Sequence, residues 1–246
     1  MGFEHAIRAS KGGRNYQEDT ADVLEHAAAL TAVLADGMGG HAGGALASGL
    51  ACKFFLHAFK TSSGEVPARL AEALDLANAA IAHETAQNVQ LSGMGCTLVG
   101  AAFGPDGVEW VSVGDSPLFL VREDEIVLLN EDHSLAPELD KLAAAGKMSW
   151  REARSDPRRH FLRSALTGGE IELVDRSHRP LALRPGDIVI LASDGIHALS
   201  HADIARLASG APSPAPLADA LLAAVDRVGD PHQDNTTVVV VRVPNS

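Results

Sequence analysis

Residues 28–35 form an unbroken apolar run, Ala-Ala-Leu-Thr-Ala-Val-Leu-Ala. The run stops on Asp36 and turns at once into Gly37-Met38-Gly39-Gly40-His41-Ala42-Gly43-Gly44. An apolar stretch of this length, closed by glycines, reads as a buried strand, and the segment 45–59 behind the turn reads as a helix. A carboxylate at the tip of a buried strand is costly to remove from water unless a positive charge sits beside it. The pattern recurs at Ile188-Val189-Ile190-Leu191-Ala192-Ser193-Asp194-Gly195. A looser copy stands at Val111-Ser112-Val113-Gly114-Asp115-Ser116. Acids delivered by several strand ends predict one shared cation site.

The charge balance narrows what such a site serves. The formal net charge is -12, and the 20 Lys and Arg residues are outnumbered by 32 Asp and Glu. That balance argues against a nucleic-acid surface, which needs clustered cations. An anionic ligand would need local arginines or metal ions. Hydrophobic residues make up 46% of the 246 positions but aromatics only 4%, so the core is expected to be mostly Ala, Leu and Val. Cys52 and Cys96 stand far apart with no CxxC motif, which reads as two buried thiols in a reducing compartment. No charged-then-apolar leader opens the sequence, and no apolar run reaches the roughly 20 residues of a membrane helix. A cytoplasmic protein, free of membrane and nucleic acid, is the expectation.

In order, the patterning predicts a strand at 3–10, a polar loop at 11–19, the strand into Asp36, and helices at 45–59 and 67–89. Leu70, Leu74, Ala77 and Ile81 mark one face of the second helix. Strands are expected at 94–103, 108–113, 117–122 and 126–129, with a hairpin turn at Gly104-Pro105-Asp106-Gly107. Residues 132–169 differ: they are polar and arginine-rich, with short helices at 137–145 and 149–154, the latter opened by a Ser149/Glu152 capping box. Strands at 170–175 and 187–192, helices at 201–208 and 216–228 around a 209–216 linker, and a valine-rich strand at 236–243 complete the chain. No repeat and no dividing linker appears, so one domain over 1–246 is expected. Its class is α+β: a four-layer α-β-β-α sandwich of two antiparallel sheets flanked by helix pairs.

Glu18, Asp19, Asp36, Asp115, Asp194 and Asp234 all fall at ends of apolar runs or in adjoining loops. Oxygen donors without a histidine pair at zinc spacing select Mg²⁺ or Mn²⁺. The glycine after Asp36 lets a backbone carbonyl approach an ion as well. Taken singly, each acid reads equally as a cap or turn residue.

The order of these motifs resembles a known family. Arg14 with Glu18-Asp19, Asp36-Gly37-Met38-Gly39-Gly40, Gly95-Cys96-Thr97, Gly114-Asp115-Ser116, Asp132-His133-Ser134, Ser193-Asp194-Gly195 and Asp234-Asn235 together look like the metal-dependent protein phosphatases, or protein phosphatase 2C, in the form of a bacterial stand-alone catalytic domain. The resemblance implies a serine/threonine phosphoprotein phosphatase with two Mn²⁺ or Mg²⁺ ions that activate water between them. By resemblance Asp36 bridges the two ions and Gly37 adds its carbonyl. Asp194 and Asp234 complete one shell, Glu18 serves the other largely through water, and Asp19 stands behind. Arg14 grips the phosphate, and residues 132–169 form a flap beside the site. A cognate serine/threonine kinase and its phosphorylated targets are the implied partners, and a monomer is the expected state.

The sequence departs from the pattern of many relatives. Met38 stands where eukaryotic members carry a histidine thought to protonate the leaving oxygen. His41, three residues on, is the substitute offered here, beside solvent or a water on the metal. Ala198 and Pro117 replace an aspartate and an arginine, so a third ion on Asp115 would bind weakly. Arg158, Arg159 and Arg163 read equally as contacts for an acidic phosphopeptide and as ion pairs with Asp156 and Glu152. His197 and His201 read as a solvent-facing helical pair, Trp110 and Trp150 as packing residues, and Lys53, Lys60 and Arg69 as solvated helix faces. A catalytically silent phosphoprotein-binding module and a phosphatase for a small metabolite remain as alternatives.

Overall fold

The apolar runs become strands buried on both faces. The computed structural model describes residues 2–26, 29–40 and 42–244. The chain runs β1 (Glu4–Ser10), β2 (Thr20–His26), β3 (Ala29–Ala35), β4 (Gly37–Met38), α1 (Ala42–Thr61), α2 (Val66–Gln87), β5 (Gly95–Cys96), β6 (Leu98–Gly104), β7 (Gly107–Val113), β8 (Leu118–Arg122) and β9 (Glu125–Leu128). It continues through α3 (Ala136–Ala144), α4 (Trp150–Ser155), β10 (Asp175–Arg176), β11 (Ile188–Ala192), α5 (His201–Gly210), α6 (Pro214–Val228) and β12 (Thr236–Arg242).

Two five-stranded antiparallel sheets, ordered β1-β12-β11-β8-β9 and β10-β7-β6-β3-β2, pack face to face. The two-residue alternation of a strand sorts each run between layers. Leu30, Ala32 and Leu34 of β3 point between the sheets, while Val33 and Ala35 pack with Phe55, Leu74 and Ile81 of the α1–α2 pair. In β12, Val239 and Val241 point between the sheets, and Val238 and Val240 face α5 and α6 with Ile204, Leu217 and Leu221. Both faces of these strands are covered, which is why their sequences read as continuous apolar runs rather than alternating ones. The four-layer α-β-β-α sandwich follows.

Antiparallel pairing also decides where the polar strand ends gather. The register sets Thr20 against Ala35, Leu34 against Val99, Leu98 against Val113, Ala192 against Val238, and Ser10 against Thr236. The entrances of β2 and β12 therefore lie beside the exits of β3, β7, β11 and β1. Residues just outside these strands share one edge of the sandwich.

Several expectations change in detail. The expected strand at 94–103 breaks at Thr97: β5 pairs with β4, and β6 pairs with β3 and β7. The strand expected at 170–175 shrinks to β10, because side chains rather than a ladder hold its first part: Ser164 Oγ donates to Leu173 O and accepts from Leu173 N, at 2.9 and 3.0 Å. β2 had no clear signal; Asp22 and Glu25 of this sheet-edge strand face solvent. The linker at 209–216 is shorter than expected, since α5 reaches Gly210 and α6 begins on Pro214. The Ser149/Glu152 capping box forms as expected. Cys52 and Cys96 are buried free thiols.

Candidate active site

Asp36 leaves β3 held by its backbone. Its N–H donates to Thr97 Oγ1 at 3.0 Å, and Thr97 N–H donates back to Asp36 O at 2.9 Å. Thr97 Oγ1 also meets Ser116 Oγ at 2.7 Å. Behind them Asn130 donates to Ser116 O and Ser112 Oγ and accepts from Leu118 N–H. The Gly-Cys-Thr and Gly-Asp-Ser motifs thus act first as a buried clamp on the strand that carries Asp36. Gly37 must be glycine for a separate reason: a Cβ there would stand 2.3 Å from the Gly44 carbonyl oxygen and 2.4 Å from that of Glu18. The loop bearing Glu18 lies directly on the Asp-Gly turn.

That loop is stapled from the opposite sheet by Asn235. Its Oδ1 accepts from Glu18 N–H at 2.8 Å, and its Nδ2 donates to Lys11 O and Tyr16 O, each at 2.9 Å. Arg14, in the same loop, donates from Nη2 to Asp234 Oδ2 at 2.5 Å. Ser193 Oγ donates to Asp19 Oδ2 at 2.8 Å and accepts from Thr237 N–H, which fixes Asp19 between the two sheets.

Arg14, Glu18, Asp36, Gly37, Asp115, Asp194 and Asp234 line one cavity of about 760 Å³. Asp19, expected to stand behind the metal ligands, is absent from its wall. It is buried behind the others, 8% exposed. His41 lies outside the described residues. The flap supplies another wall through the run from His160 to Ala165, together with Thr167. Its register to the sheet edge is fixed by reciprocal backbone hydrogen bonds between Leu166 and Cys96, at 2.9 and 3.0 Å.

The electrostatics of the acids are unbalanced. Burial, and then the charges of Asp19, Asp194, Asp115 and Asp234, push the Asp36 carboxyl well above its usual range. Burial and the neighbouring Asp194 and Asp132 raise Asp115 to about 7. Burial raises Asp19 to about 6, with Asp194 and Asp234 adding to it against hydrogen bonds from Ser193 and Thr237. Asp194 is raised by burial and Asp234, and it lies within hydrogen-bonding reach of Asp36. Glu18 Oε1, Asp19 Oδ1 and Asp194 Oδ1 are buried without a hydrogen-bond partner. An unpartnered buried acceptor costs roughly 1–3 kcal/mol, more when charged.

These are the marks of carboxylates that a positive charge would stabilise. An all-oxygen donor set with orphaned atoms fits hard divalent cations. Among the described residues no group of three such side chains converges on one point. The acids ring the cavity.

The model of the family described as protein phosphatase 2C matches residues 8–235. The chain belongs to the protein phosphatase 2C family. This protein phosphatase 2C domain is 33% identical over 243 residues to the serine/threonine protein phosphatase PstP of Mycobacterium tuberculosis, a match covering 98% of this chain and 45% of PstP. The domain therefore spans about half the length of that relative. It is 31% identical over 236 residues to the serine/threonine phosphatase Stp of Listeria innocua, covering 93% of this chain and 90% of Stp. The crystal structure of the PstP catalytic domain in complex with two manganese ions superposes with a TM-score of 0.79 at 32% identity, covering 99% of each chain.

Some residues at the site were not legible in advance. Asn130 sits in no charged motif, yet it holds the clamp, and Ser193, quoted only as the neighbour of Asp194, holds Asp19; the signal was a small polar residue at the end of an apolar run. His133 is 3% exposed and accepts from Gly114 N–H at Nδ1, so it is a fastener for the turn before Asp115. Burial lowers its pKa, which keeps that nitrogen free to accept. Other readings are corrected. His197 lies in the 3-10 turn Asp194–Ala198 while His201 opens α5, so they share no helix, although both are exposed. Trp150 is 49% exposed rather than packed. Arg69 is no solvated face: its guanidinium lies 3.9 Å from the Phe59 ring centroid. Arg158 pairs with Asp156, Arg159 with Asp140 and Arg163 with Glu138, whereas Glu152 caps its own helix. Among the described residues no helix is long and apolar enough to cross a membrane.

Proposed function

We propose that the chain is one catalytic domain, a metal-dependent serine/threonine phosphoprotein phosphatase that works as a cytoplasmic monomer against a serine/threonine kinase. The observation that carries this reading is the gathering of carboxylates beside Arg14 in one cavity, with buried oxygens of Glu18 and Asp194 left unpartnered. Asp36, the Gly37 carbonyl, Glu18, Asp194 and Asp234 would hold two Mn²⁺ or Mg²⁺ ions, with Asp115 offering a weaker third position and Asp19 supporting from behind. When bound, such ions would lower the pKa of water toward neutrality and offset charge on the phosphate.

The chain's own residues supply position and charge. Arg14 swings from Asp234 to the phosphate, where its planar fork matches two oxygens. The Thr97–Ser116–Asn130 network holds Asp36 still while the dianion enters. Water attacks phosphorus in line with the departing seryl or threonyl oxygen, and Arg14 stabilises charge on the equatorial oxygens. No covalent phosphoenzyme forms, so no nucleophilic side chain is required. The leaving oxygen takes its proton from His41 or from solvent.

The test is hydrolysis of p-nitrophenyl phosphate and a phosphothreonine peptide with Mn²⁺, before and after chelation. Metal-dependent turnover of both supports the reading. No turnover across metals and pH would make the chain a phosphoprotein-binding module instead, and a strong preference for sugar phosphates would make it a metabolite phosphatase.

A further inference from the structure

The charges at the mouth of the cavity fall into two groups. Its two arginines are already engaged: Arg14 on Asp234 and Arg163 on Glu138, the latter at 3.1 Å. Glu170 and Glu172 line the same cavity, are exposed, and make no hydrogen bond or ion pair among the described residues. They are not on a loose loop. Asn78 of α2 accepts from Gly168 N–H at 2.8 Å and donates to Gly169 O at 2.7 Å. Four residues beyond Gly169, Leu173 is clamped by Ser164 in both directions. The segment holding the two glutamates is thus pinned at both ends, by α2 and by the flap.

A second feature of the mouth concerns shape. Phe161 lines the cavity with its side chain 61% exposed. An uncovered aromatic ring beside a phosphate site offers contact area to a substrate that carries side chains, which a bare sugar phosphate lacks.

We propose that Glu170 and Glu172 form a selecting rim favouring phosphoserine and phosphothreonine segments with lysine or arginine close to the phosphorylated residue, their apolar neighbours lying on Phe161. The inference rests on the phosphatase reading above and names its substrate class. Its basis is complementarity. A pinned pair of unpaired carboxylates attracts a flanking cation and repels an acidic flank, and repulsion of the wrong partner is as much a source of specificity as attraction of the right one. Arg158, Arg159 and Arg163, which from sequence alone suited an acidic peptide and internal ion pairs equally, are each paired to an acid of the flap.

Two phosphothreonine peptides, alike except for arginine or glutamate flanks, decide the matter. Exposed ion pairs are each worth up to about fivefold, so the basic peptide should lead by about fivefold in kcat/KM at low salt, mostly through KM. The lead should shrink near 0.5 M salt, where the screening length drops to a few ångströms. Glu170→Gln with Glu172→Gln should erase the preference, and Glu170→Lys with Glu172→Lys should invert it. The ratio is taken within each enzyme, so a general change in activity cancels. Equal kcat/KM for the two peptides, or a ratio untouched by both double variants, overturns the rim. Should p-nitrophenyl phosphate not turn over with Mn²⁺, the phosphatase reading fails separately. The same peptide pair, read as Kd by fluorescence anisotropy, then decides whether the rim discriminates.

Discussion

The sheet edge and the flap both gather charged side chains and treat them in opposite ways. In the flap, Arg159 meets Asp140 with two hydrogen bonds, Arg158 meets Asp156 likewise, and Leu139, Ala143 and Ala153 form a small core beneath. At the sheet edge, carboxylates face one another with a single arginine among them, and buried oxygens lack partners. Charges that satisfy each other stabilise a fold. Charges crowded and left short of partners destabilise it and persist where a ligand completes them. The contrast leaves the edge as the candidate machinery and marks Arg158 and Arg159 as scaffold.

The strongest challenge to that contrast is removal of the ions. Chelation should abolish hydrolysis, and Mn²⁺ at a hundred times its Kd should add about 2.7 kcal/mol of stability, read as a rise in Tm. Next comes Asp36→Asn. Loss of a principal electrostatic element should lower the Mn²⁺-dependent rate at least about 10²-fold. The metal-free variant should nonetheless melt higher than the parent, because one repelling charge has gone; a lower Tm would deny that the acids are strained. Arg14→Ala should raise KM for p-nitrophenyl phosphate about tenfold, the scale of a charge-assisted hydrogen bond, and an unchanged KM would leave Arg14 as a partner of Asp234 alone.

The pH dependence of the metal-free domain is a smaller effect with a definite sign. Asp19 and Asp115 rise on folding from 3.8 to about 6 and about 7, so the folded state binds more protons than the unfolded one in between. Stability should therefore fall as pH rises from about 4 through about 7, with the full loss present above that, and saturating Mn²⁺ should flatten the slope. Asp156, held down to about 2 by Arg158, gives stability that is lost only in acid below this window. Thermal melts at about pH 6 and pH 8, with and without metal, read the difference. The smallest effect belongs to the flap: Arg159→Ala should cost about 0.5–1 kcal/mol in denaturant unfolding and leave hydrolysis of p-nitrophenyl phosphate within about twofold.

The extent to which the sequence disclosed this varies with the physics of each element. β3, β11 and β12 were legible because strands covered on both faces must be apolar throughout. β2, at a sheet edge, carries Asp22 and Glu25 and gave no such signal. The break at Thr97 was hidden, since glycine, cysteine and leucine on either side look alike to a hydrophobicity pattern and only the change of partner strand separates β5 from β6. The acids announced themselves by standing at the ends of apolar runs. Asn130 and the hold of Ser193 on Asp19 did not, because an uncharged polar residue at a strand end has no unusual cost until its partner is known.

What the sequence determined by itself was the layering and the inventory: runs that must be buried, acids that interrupt them, and glycines that let the chain turn sharply at Asp36. Which acids meet was decided by the tertiary structure alone. Antiparallel register carries the exit of one strand to the entrance of another more than a hundred residues away, and it sets Asp234 beside Arg14, Asp19 behind the cavity wall, and Glu170 with Glu172 at its mouth. Spacing along a chain holds no information about such meetings. They arise when two sheets close over a common core and their polar ends have one edge left to share.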